Sequence, residues 1–190
     1  MREAWLVVGL GNPGPEYAST RHNVGFMAVD DLASRTSIRL ARHKRAHALA
    51  GEGHLAGGRV ILAEPLSFMN ESGGPIKAML AFYDIPVERM VVLHDELDIP
   101  FDTLRVKLGG GDNGHNGLKS LRKALGTGDF YRVRIGIGRP PGRQDPADFV
   151  LKPFAAAERA EVPGLASRAA DAVESLLADG LDVTQSRYNS

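Results

Sequence analysis

The chain has 190 residues, of which 43% are hydrophobic and 24% charged, and this composition suits one globular domain large enough to bury a core. Its 23 Lys and Arg residues balance 23 Asp and Glu residues, which argues against a globally basic nucleic-acid binder but not against a local basic patch. The sequence has no cysteine, which excludes disulfides, thiolate metal sites and a thiol nucleophile, and favours a cytoplasmic location. The first apolar run, residues 4–10, is too short for a signal peptide or a membrane span, so we expect no membrane association.

The spacing of apolar residues predicts strands and helices that interleave along the chain. The predicted strands cover residues 4–10, 47–53, 59–63, 90–94, 103–108 and 130–137, and the predicted helices cover 24–34, 75–83, 118–125 and 166–178. A short turn that contains glycines joins the second and third strands, which predicts a hairpin and therefore a mixed sheet. We therefore expect an α/β single-domain layered fold over residues 1–190, with a twisted mixed β-sheet flanked by helices.

The opening stretch VVGLGNPGPEYASTRHN (residues 7–23) contains glycines with the G-x-G-x-x-G spacing of a dinucleotide-binding turn. That turn needs a helix that begins inside the motif, so that free N–H groups face the pyrophosphate. Pro13 and Pro15 remove two of these donors, and the next helical pattern begins only near residue 24. The context therefore argues against a dinucleotide site.

The stretch KLGGGDNGHNGLKS (residues 107–120) is similar to a phosphate-binding loop, but a leucine separates its last glycine from the lysine of the required G-K-[ST] ending. Backbone N–H groups of such a loop, together with the start of the basic helix that follows, can still hold an anion. The structural alternative is a turn whose glycines adopt positive φ. That alternative does not account for His115 and Asn116 among the glycines.

Four of the predicted strands are followed by a polar residue, either directly or after a short loop. These residues are Asn12, Asn70, Asp95 and Asn116. Ligands of open α/β sheets bind in the crevice beyond the carboxyl ends of the strands. If these strands are neighbours, three amides and one carboxylate share that crevice, with His22 on the loop above them.

This set of residues suits hydrolysis by an activated water molecule. His22 has an ordinary pKa that fits a general base near pH 7, and a carboxylate such as Asp95 can hold the imidazole tautomer and stabilise its protonated form. Asparagine amides can donate hydrogen bonds to a developing oxyanion. The sequence has neither a G-x-S-x-G motif nor a cysteine, so a covalent nucleophile lacks support.

Each of these residues also has a structural interpretation. Asn12 forms a common turn pair with the proline after it, and Asn70 can simply begin the next helix. In that case His22 is an exposed loop residue and Asp95 belongs to a solvated acidic turn. A metal site at residues 94–96 is a further hypothesis, but adjacent strand residues point in opposite directions and no H-E-x-x-H motif completes such a site.

Five segments, in order and spacing, resemble the bacterial-type peptidyl-tRNA hydrolase family: GLGNPGPEYASTRHNVGF, FMNESG, HDELDIP, KLGGGDNGHNGLKSL and FYRVRIGIGRP. The resemblance covers essentially the whole chain. It implies cleavage of the ester between the peptide and the 3′ ribose of peptidyl-tRNA, without a cofactor or a metal, by a protein that we expect to be a monomer. It also implies that His22 activates water, that Asp95 stabilises His22, and that Asn12 binds substrate near the ester.

The same resemblance assigns further residues to the substrate. Contacts with peptidyl-tRNA are implied for Tyr17, Phe68, Asn70 and Asn116, with His115 supporting their loop. A clamp for the phosphates of the acceptor stem is implied for Arg105, Lys107 and Arg134. These three belong to a run of seven cations between residues 105 and 134, which provides a local basic patch in a chain without net charge.

The chain departs from the family pattern at Asp112 and Asn113, where the family mostly has small residues, so tRNA contact near this point is an open question. Two other functions stay open. A catalytically silent RNA-binding relative keeps the basic patch but has no need of His22 and Asp95. A nucleotide-dependent α/β enzyme requires a phosphate loop that the prolines and the interrupted G-K-[ST] do not provide.

Overall fold

The computed structural model describes residues 3–189. The strands are β1 (Trp5–Gly9), β2 (Ala41–Arg42), β3 (Ala48–Leu55), β4 (Gly58–Pro65), β5 (Met90–Glu96), β6 (Leu104–Leu108) and β7 (Tyr131–Gly136). The helices are α1 (Val24–Thr36), α2 (Gly73–Tyr83), α3 (Asn116–Leu125), α4 (Pro146–Val150), α5 (Val162–Asp179) and α6 (Leu181–Tyr188), with short 3-10 turns before α1, α2, β5 and α5.

The seven strands form one mixed sheet in the order β2-β3-β4-β1-β5-β7-β6. The central strands β4, β1, β5 and β7 are parallel, whereas β2, β3 and β6 pair with their neighbours in antiparallel fashion. The predicted hairpin of β3 and β4 is confirmed, with register partners from Ala48–Pro65 to Leu55–Gly58. The predicted α/β layered fold with a mixed sheet flanked by helices is therefore confirmed.

Two hydrophobic clusters cover the two faces of the sheet. Leu6, Val8 and other side chains of one face pack with α2 and α3, and Val7 packs on the opposite face with α1 and α5. The side chains of each central strand point alternately to the two faces of the sheet, so each strand contributes to both clusters. These strands are therefore apolar at nearly every position. Among residues 3–189, no helix is long and apolar enough to cross a membrane.

Three elements were not predicted: β2, α4 and α6. Each is only two to eight residues long, too short for a clear period. The predicted α2 and α3 also begin too late, because glycine and asparagine were assigned to loops. In the structure, α2 begins at Gly73, where a side chain would collide with the Ser120 carbonyl group of α3. Close packing of the two helices therefore explains a glycine that helix propensity disfavours.

The start of α1 is pressed against the carboxyl edge of the sheet, between β1 and β5. A side chain on Gly25 would collide with the carbonyl oxygens of Leu10 and Leu93, so only glycine allows this approach. The 3-10 turn Arg21–Asn23 directly precedes α1, and the close approach therefore places it over the end of β5. This geometry positions the first catalytic candidate, His22.

The strand before the glycine loop does not end at the crevice, in contrast to the expectation that polar residues there follow strand ends. Strand β6 is antiparallel to β7, with Leu108 opposite Tyr131, so β6 ends at the amino edge of the parallel strands and not at the carboxyl edge. The glycine loop after β6 crosses back toward the carboxyl edge, where α3 begins with Asn116. Asn116 therefore reaches the predicted crevice through this loop and not as the end of a neighbouring strand.

Candidate active site

His22 and Asp95 are in direct contact. Nδ1 of His22 lies 2.8 Å from Oδ2 and 3.0 Å from Oδ1 of Asp95, and both residues are buried. The carboxylate stands at the end of β5, and the histidine stands in the 3-10 turn before α1. Their contact joins residues 73 positions apart in the sequence.

A second histidine, His115, contacts the other oxygen of the Asp95 carboxylate. Its Nε2 lies 2.8 Å from Oδ1 of Asp95. Its Nδ1 accepts hydrogen bonds from the backbone N–H groups of Gly117 and Leu118, so His115 is the N-cap of α3. Because Nδ1 is an acceptor, the proton of the neutral ring resides on Nε2, which donates to Asp95. The fold thus fixes the tautomer of His115.

The electrostatics of this group of three follow from burial and hydrogen bonding. Burial raises the pKa of Asp95, but the two histidines outweigh burial and hold that pKa well below its ordinary value. Burial lowers the pKa of His22, but the charge of Asp95 and the hydrogen bond to it leave the pKa of His22 above its ordinary value. Asp95 is therefore a carboxylate at neutral pH, and its charge keeps the pKa of His22 raised in spite of burial.

The neighbouring His94 is a structural residue. Its Nδ1 donates to the backbone carbonyl group of Asp95 at 2.8 Å, and the ring is almost fully buried. Burial, followed by the repulsion of His115, lowers the pKa of His94 to about 3, so the ring is neutral. The hypothesis of a metal site at residues 94–96 is not favoured, because the side chain of His94 is directed at the backbone while that of Asp95 faces the other two histidines. The groups that do converge are His22, Asp95 and His115, whose ligand atoms lie within 4.8 Å of one another.

A cavity of about 130 Å³, here called the hydrolytic crevice, opens beside these residues. Its lining includes His22, Asp95, His115, Asn116 and Asn113. The crevice therefore brings together four of the predicted site residues. Asn116 is exposed at the first position of α3, and its amide is accessible from the crevice.

Asn12 and Asn70 do not line the hydrolytic crevice, in contrast to the prediction of one shared crevice. Oδ1 of Asn12 accepts a hydrogen bond of 2.7 Å from the N–H of Met69, which turns this side chain toward the 3-10 turn Met69–Glu71. The backbone of Asn12 exchanges two hydrogen bonds of 2.9 Å with the side chain of Asn23, the residue after His22. Asn12 thus joins the loop after β1 to both neighbouring loops, and Asn70 lies exposed beside Met69.

Tyr17 and Phe68 face each other above these loops. Their ring centroids are 6.3 Å apart with an interplanar angle of 81°, an edge-to-face contact. Phe68 is 54% exposed, which is unusual for phenylalanine and leaves much of its ring free for a ligand.

The predicted phosphate-binding residues lie on the antiparallel pair β6–β7. Arg105 is opposite Arg134 and Lys107 is opposite Arg132, so all four side chains lie on one face of the sheet. Arg134 pairs with Glu96 at 3.1 Å. Burial, followed by the repulsion of Arg134 and Arg132, lowers the pKa of Lys107. Arg105, Lys107 and Arg134 keep access to solvent and make a surface suited to an anion, whereas Arg132 is buried beneath them.

The sequence analysis assigned no separate role to Arg132. This arginine is fully buried, and its guanidinium group donates to the carbonyl oxygens of Gly110, Gly111 and Gly128. Burial and neighbouring arginines lower its pKa to about 10, which leaves it charged at neutral pH. Arg132 therefore fixes the glycine loop that leads to His115. Arg132 lies on the polar side of a strand in which apolar and polar residues alternate, so the sequence pattern does not indicate that it is buried.

Asn113 and Asp112, the two departures from the family pattern, stabilise the same loop. Nδ2 of Asn113 donates to Oε2 of Glu96 at 3.0 Å and to Oδ2 of Asp98 at 2.6 Å. Oδ1 of Asp112 accepts a hydrogen bond from the N–H of Gly114. Asn113 thus ties the loop to the end of β5, and Asp112 stabilises the turn inside the loop.

Comparison with known proteins gives a consistent result. The sequence profile described as "Peptidyl-tRNA hydrolase" matches residues 6–190. The peptidyl-tRNA hydrolase of Frankia casuarinae is 62% identical over 186 residues, which cover 98% of this chain and 94% of the relative. That of Streptomyces coelicolor is 60% identical over 191 residues, which cover 98% and 95%. The crystal structure of peptidyl-tRNA hydrolase from Acinetobacter baumannii superposes with a TM-score of 0.92 at 36% identity and covers 98% of this chain and 95% of that chain. The fold, the buried histidine–aspartate pair and the full-length similarity agree with one another. The chain therefore belongs to the peptidyl-tRNA hydrolase family.

Proposed function

We propose that this chain hydrolyses the ester between the peptide and the 3′ ribose of tRNA, with His22 as the general base. Nε2 of His22 takes a proton from water as the water oxygen attacks the ester carbonyl carbon. The tetrahedral intermediate then collapses, the carbon–oxygen bond to the ribose breaks, and the ribose oxygen takes the proton back from His22. Asp95 stabilises the imidazolium ion that exists between these two transfers.

The observation that carries this proposal is the polarity of the hydrogen bonds around Asp95. The pKa of Asp95 lies well below its ordinary value, so this carboxyl group is ionised, and His115 donates a hydrogen bond to its Oδ1. A carboxylate can only accept, so Nδ1–H of His22 donates to Asp95 and Nε2 of His22 carries the lone pair. The histidine is thereby held in the tautomer that a general base needs.

The amides supply hydrogen-bond donors for the reacting carbonyl group. Because Oδ1 of Asn12 accepts from Met69, the orientation of that amide is defined, and within residues 3–189 its NH₂ group has no hydrogen-bond partner. We assign this NH₂ group to the substrate near the ester, and Asn116 to the water or the oxyanion. Asn70, Tyr17 and Phe68 then contact the peptide or the terminal nucleotide, for which an exposed aromatic ring is a suitable platform.

The cations of β6–β7 supply the contacts with RNA. Arg105, Lys107 and Arg134 bind phosphates of the acceptor stem, and such binding depends on salt more than on sequence. We further propose that the protein acts as a monomer in the cytoplasm, without a cofactor or a metal. Light scattering of the purified protein tests whether it is a monomer.

The decisive experiment measures the release of N-blocked peptide from peptidyl-tRNA by wild type and by His22→Asn, with and without EDTA. We expect wild-type activity to survive EDTA and to fall by about 10²–10⁴-fold in the variant, the usual range for loss of a general base. Unblocked aminoacyl-tRNA is the control substrate and should be cleaved much more slowly.

Three results would contradict the proposal. Full activity of His22→Asn would exclude His22 as the base, and loss of activity in EDTA would favour a metal held by His22, Asp95 and His115. If the wild type is inactive but binds tRNA, the catalytically silent RNA-binding function takes precedence.

A further inference from the structure

A second cavity, of about 240 Å³, lies at the carboxyl edge of the sheet and is here called the Glu64 pocket. Its lining includes Leu49 of β3, Glu64 of β4 and Asn12 after β1, together with Met27 and Asp30 of α1. The hydrolytic crevice instead lies over the end of β5 and the start of α3. The two cavities share no lining residue, but Asn23 of the Glu64 pocket directly follows His22 of the hydrolytic crevice in the chain.

The unusual feature of this pocket is a buried carboxyl group that the mechanism does not use. Glu64 is only 6% exposed, and no N–H or O–H donor of the described residues reaches its Oε2. Its neighbour in the pocket is Asp30, an exposed residue of α1. A buried carboxyl oxygen without a donor is costly, and such a group needs an explanation.

Glu64 and Asp30 lie together in the pocket without a basic partner. Burial, followed by the hydrogen bond to Asp30 and its charge, raises the pKa of Glu64 to about 10, so the carboxyl group of Glu64 is protonated at neutral pH. No lysine or arginine among residues 3–189 forms an ion pair with either group, in contrast to Glu96, which pairs with Arg134. A cation from outside the chain would therefore find two carboxyl groups with which no basic side chain is paired.

The remaining walls suit the hydrocarbon part of such a ligand. Met27, Leu49 and Leu66 line the same pocket as the two carboxyl groups. Long basic side chains bury their methylene groups against apolar surface and keep the charged end with polar partners. A four-carbon amine or a guanidinium group on a short alkyl chain fits this arrangement.

The order of the strands in the sheet indicates which ligand carries the basic group into the Glu64 pocket. The cations assigned to RNA lie on β6 and β7, the His22–Asp95 pair lies at the end of β5, and the Glu64 pocket lies over β1, β4 and β3. These regions follow one another across the sheet. A substrate with its RNA over β6–β7 and its ester at His22 directs its peptide toward the Glu64 pocket.

We infer that the Glu64 pocket receives a lysine or arginine side chain of the peptide, from one of the two residues next to the ester, with Glu64 and Asp30 as its partners. This inference rests on the proposed function and adds a substrate preference to it. The preference arises because an ammonium or guanidinium group donates charge-assisted hydrogen bonds to both carboxyl groups, and these bonds are stronger than those of a neutral amide.

The test compares substrates that differ by one charge. Nα-acetyl-lysyl-tRNA and its Nε-acetylated form carry the same tRNA, as do Nα-acetyl-lysyl-glycyl-tRNA and its Nε-acetylated form. We expect wild type to cleave the charged member of at least one pair with a kcat/KM about tenfold higher, or ~1.4 kcal/mol. Glu64→Gln, close in shape to the protonated acid, and Asp30→Asn should both bring that ratio close to one.

The matched control is Glu88→Gln, which removes a carboxylate from an exposed 3-10 turn before β5 and should keep the wild-type ratio. Thermal unfolding of each variant shows that the fold is intact. A ratio near one in wild type for both substrate pairs overturns the inference, as does a preference that survives both pocket substitutions. Cleavage of the uncharged substrates by wild type tests the proposed function separately.

Free butylamine distinguishes a peptide side chain from a small amine as the occupant. If the pocket serves the peptide, butylamine should inhibit cleavage of the charged substrate more than that of its uncharged partner, and Glu64→Gln should remove the difference. Binding of butylamine that depends on Glu64, together with a substrate ratio near one, would assign the pocket to free amines and refute the inference.

Discussion

His115 joins Asp95 to the first turn of α3. One ring nitrogen accepts hydrogen bonds from the N–H groups of Gly117 and Leu118, and the other lies 2.8 Å from Oδ1 of Asp95. A single imidazole thus serves as helix cap and as partner of the Asp95 carboxylate. Through it, the glycine loop and the helix after it are coupled to the orientation of His22.

The first prediction concerns His115→Ala. Loss of the cap should reduce the free energy of unfolding by about 1 kcal/mol. Loss of the hydrogen bond to Asp95 should lower kcat about tenfold and move the acid limb of the pH–rate profile to higher pH, because the charge of Asp95 then acts on His22 alone. Stopped-flow or quench measurements of kcat and KM between about pH 5 and 9 check this.

The control for this variant is His54→Ala, an exposed histidine on β3. It should leave kcat and the pH profile unchanged. If His115→Ala lowers stability without any change in the pH profile, the residue is a helix cap only.

The second prediction concerns Asp95→Asn. The asparagine keeps the shape of the side chain but removes the charge that opposes the burial of His22. The pKa of His22 should therefore fall, and the acid limb of the profile should move to lower pH. The maximal rate should nevertheless drop about 10²–10⁴-fold, because the imidazolium intermediate loses its counter-ion. A shift of the acid limb to higher pH would contradict this assignment of the pair.

The third prediction concerns the cations of β6–β7. Lys107→Ala and Arg134→Ala should each raise KM for peptidyl-tRNA and reduce the slope of log(kcat/KM) against log(salt) by about 1 for each phosphate that the variant no longer binds. The effect of Arg134→Ala should be larger, because it also leaves Glu96 unpaired beside the RNA. Lys77→Ala, which removes an exposed lysine from α2, is the charge-matched control and should change neither quantity.

The fourth prediction concerns the pH dependence of stability through His94. The pKa of His94 is lowered to about 3 in the folded protein, whereas it lies near 6.5 when the chain is unfolded. Between these values the unfolded state binds one more proton, so this contribution to stability is present above about pH 6.5 and is lost as pH falls. The expected loss is up to ~1.4 kcal/mol per pH unit.

Urea denaturation of wild type and His94→Asn at about pH 6.5, 5.5 and 4.5 measures this contribution. The asparagine amide nitrogen occupies the position of Nδ1, so it can still donate to the Asp95 carbonyl group, but it does not titrate. The free energy of unfolding should fall less steeply with acid in the variant. Equal slopes in the two proteins would show that His94 does not contribute.

The local pattern of the sequence determined much of the fold. Alternation and apolar runs predict β1, β5 and β7 close to their observed bounds, because these strands are buried on both faces. Glycines spaced over a short turn predict the β3–β4 hairpin. The same patterns place polar residues at chain positions where strands end, and five linked segments connect those positions with a known family.

Tertiary structure alone decided which of these residues meet. The contact of His22 with Asp95 spans 73 residues and depends on the close approach of Gly25 to β1 and β5. The antiparallel direction of β6, on which the route of the glycine loop depends, arises from pairing with β7 and not from any period of its own sequence. The buried guanidinium group of Arg132 and the buried carboxyl group of Glu64 also escape sequence patterns. Local periodicity reports which face of an element is apolar, whereas hydrogen-bond partners are supplied by residues that are distant in the chain.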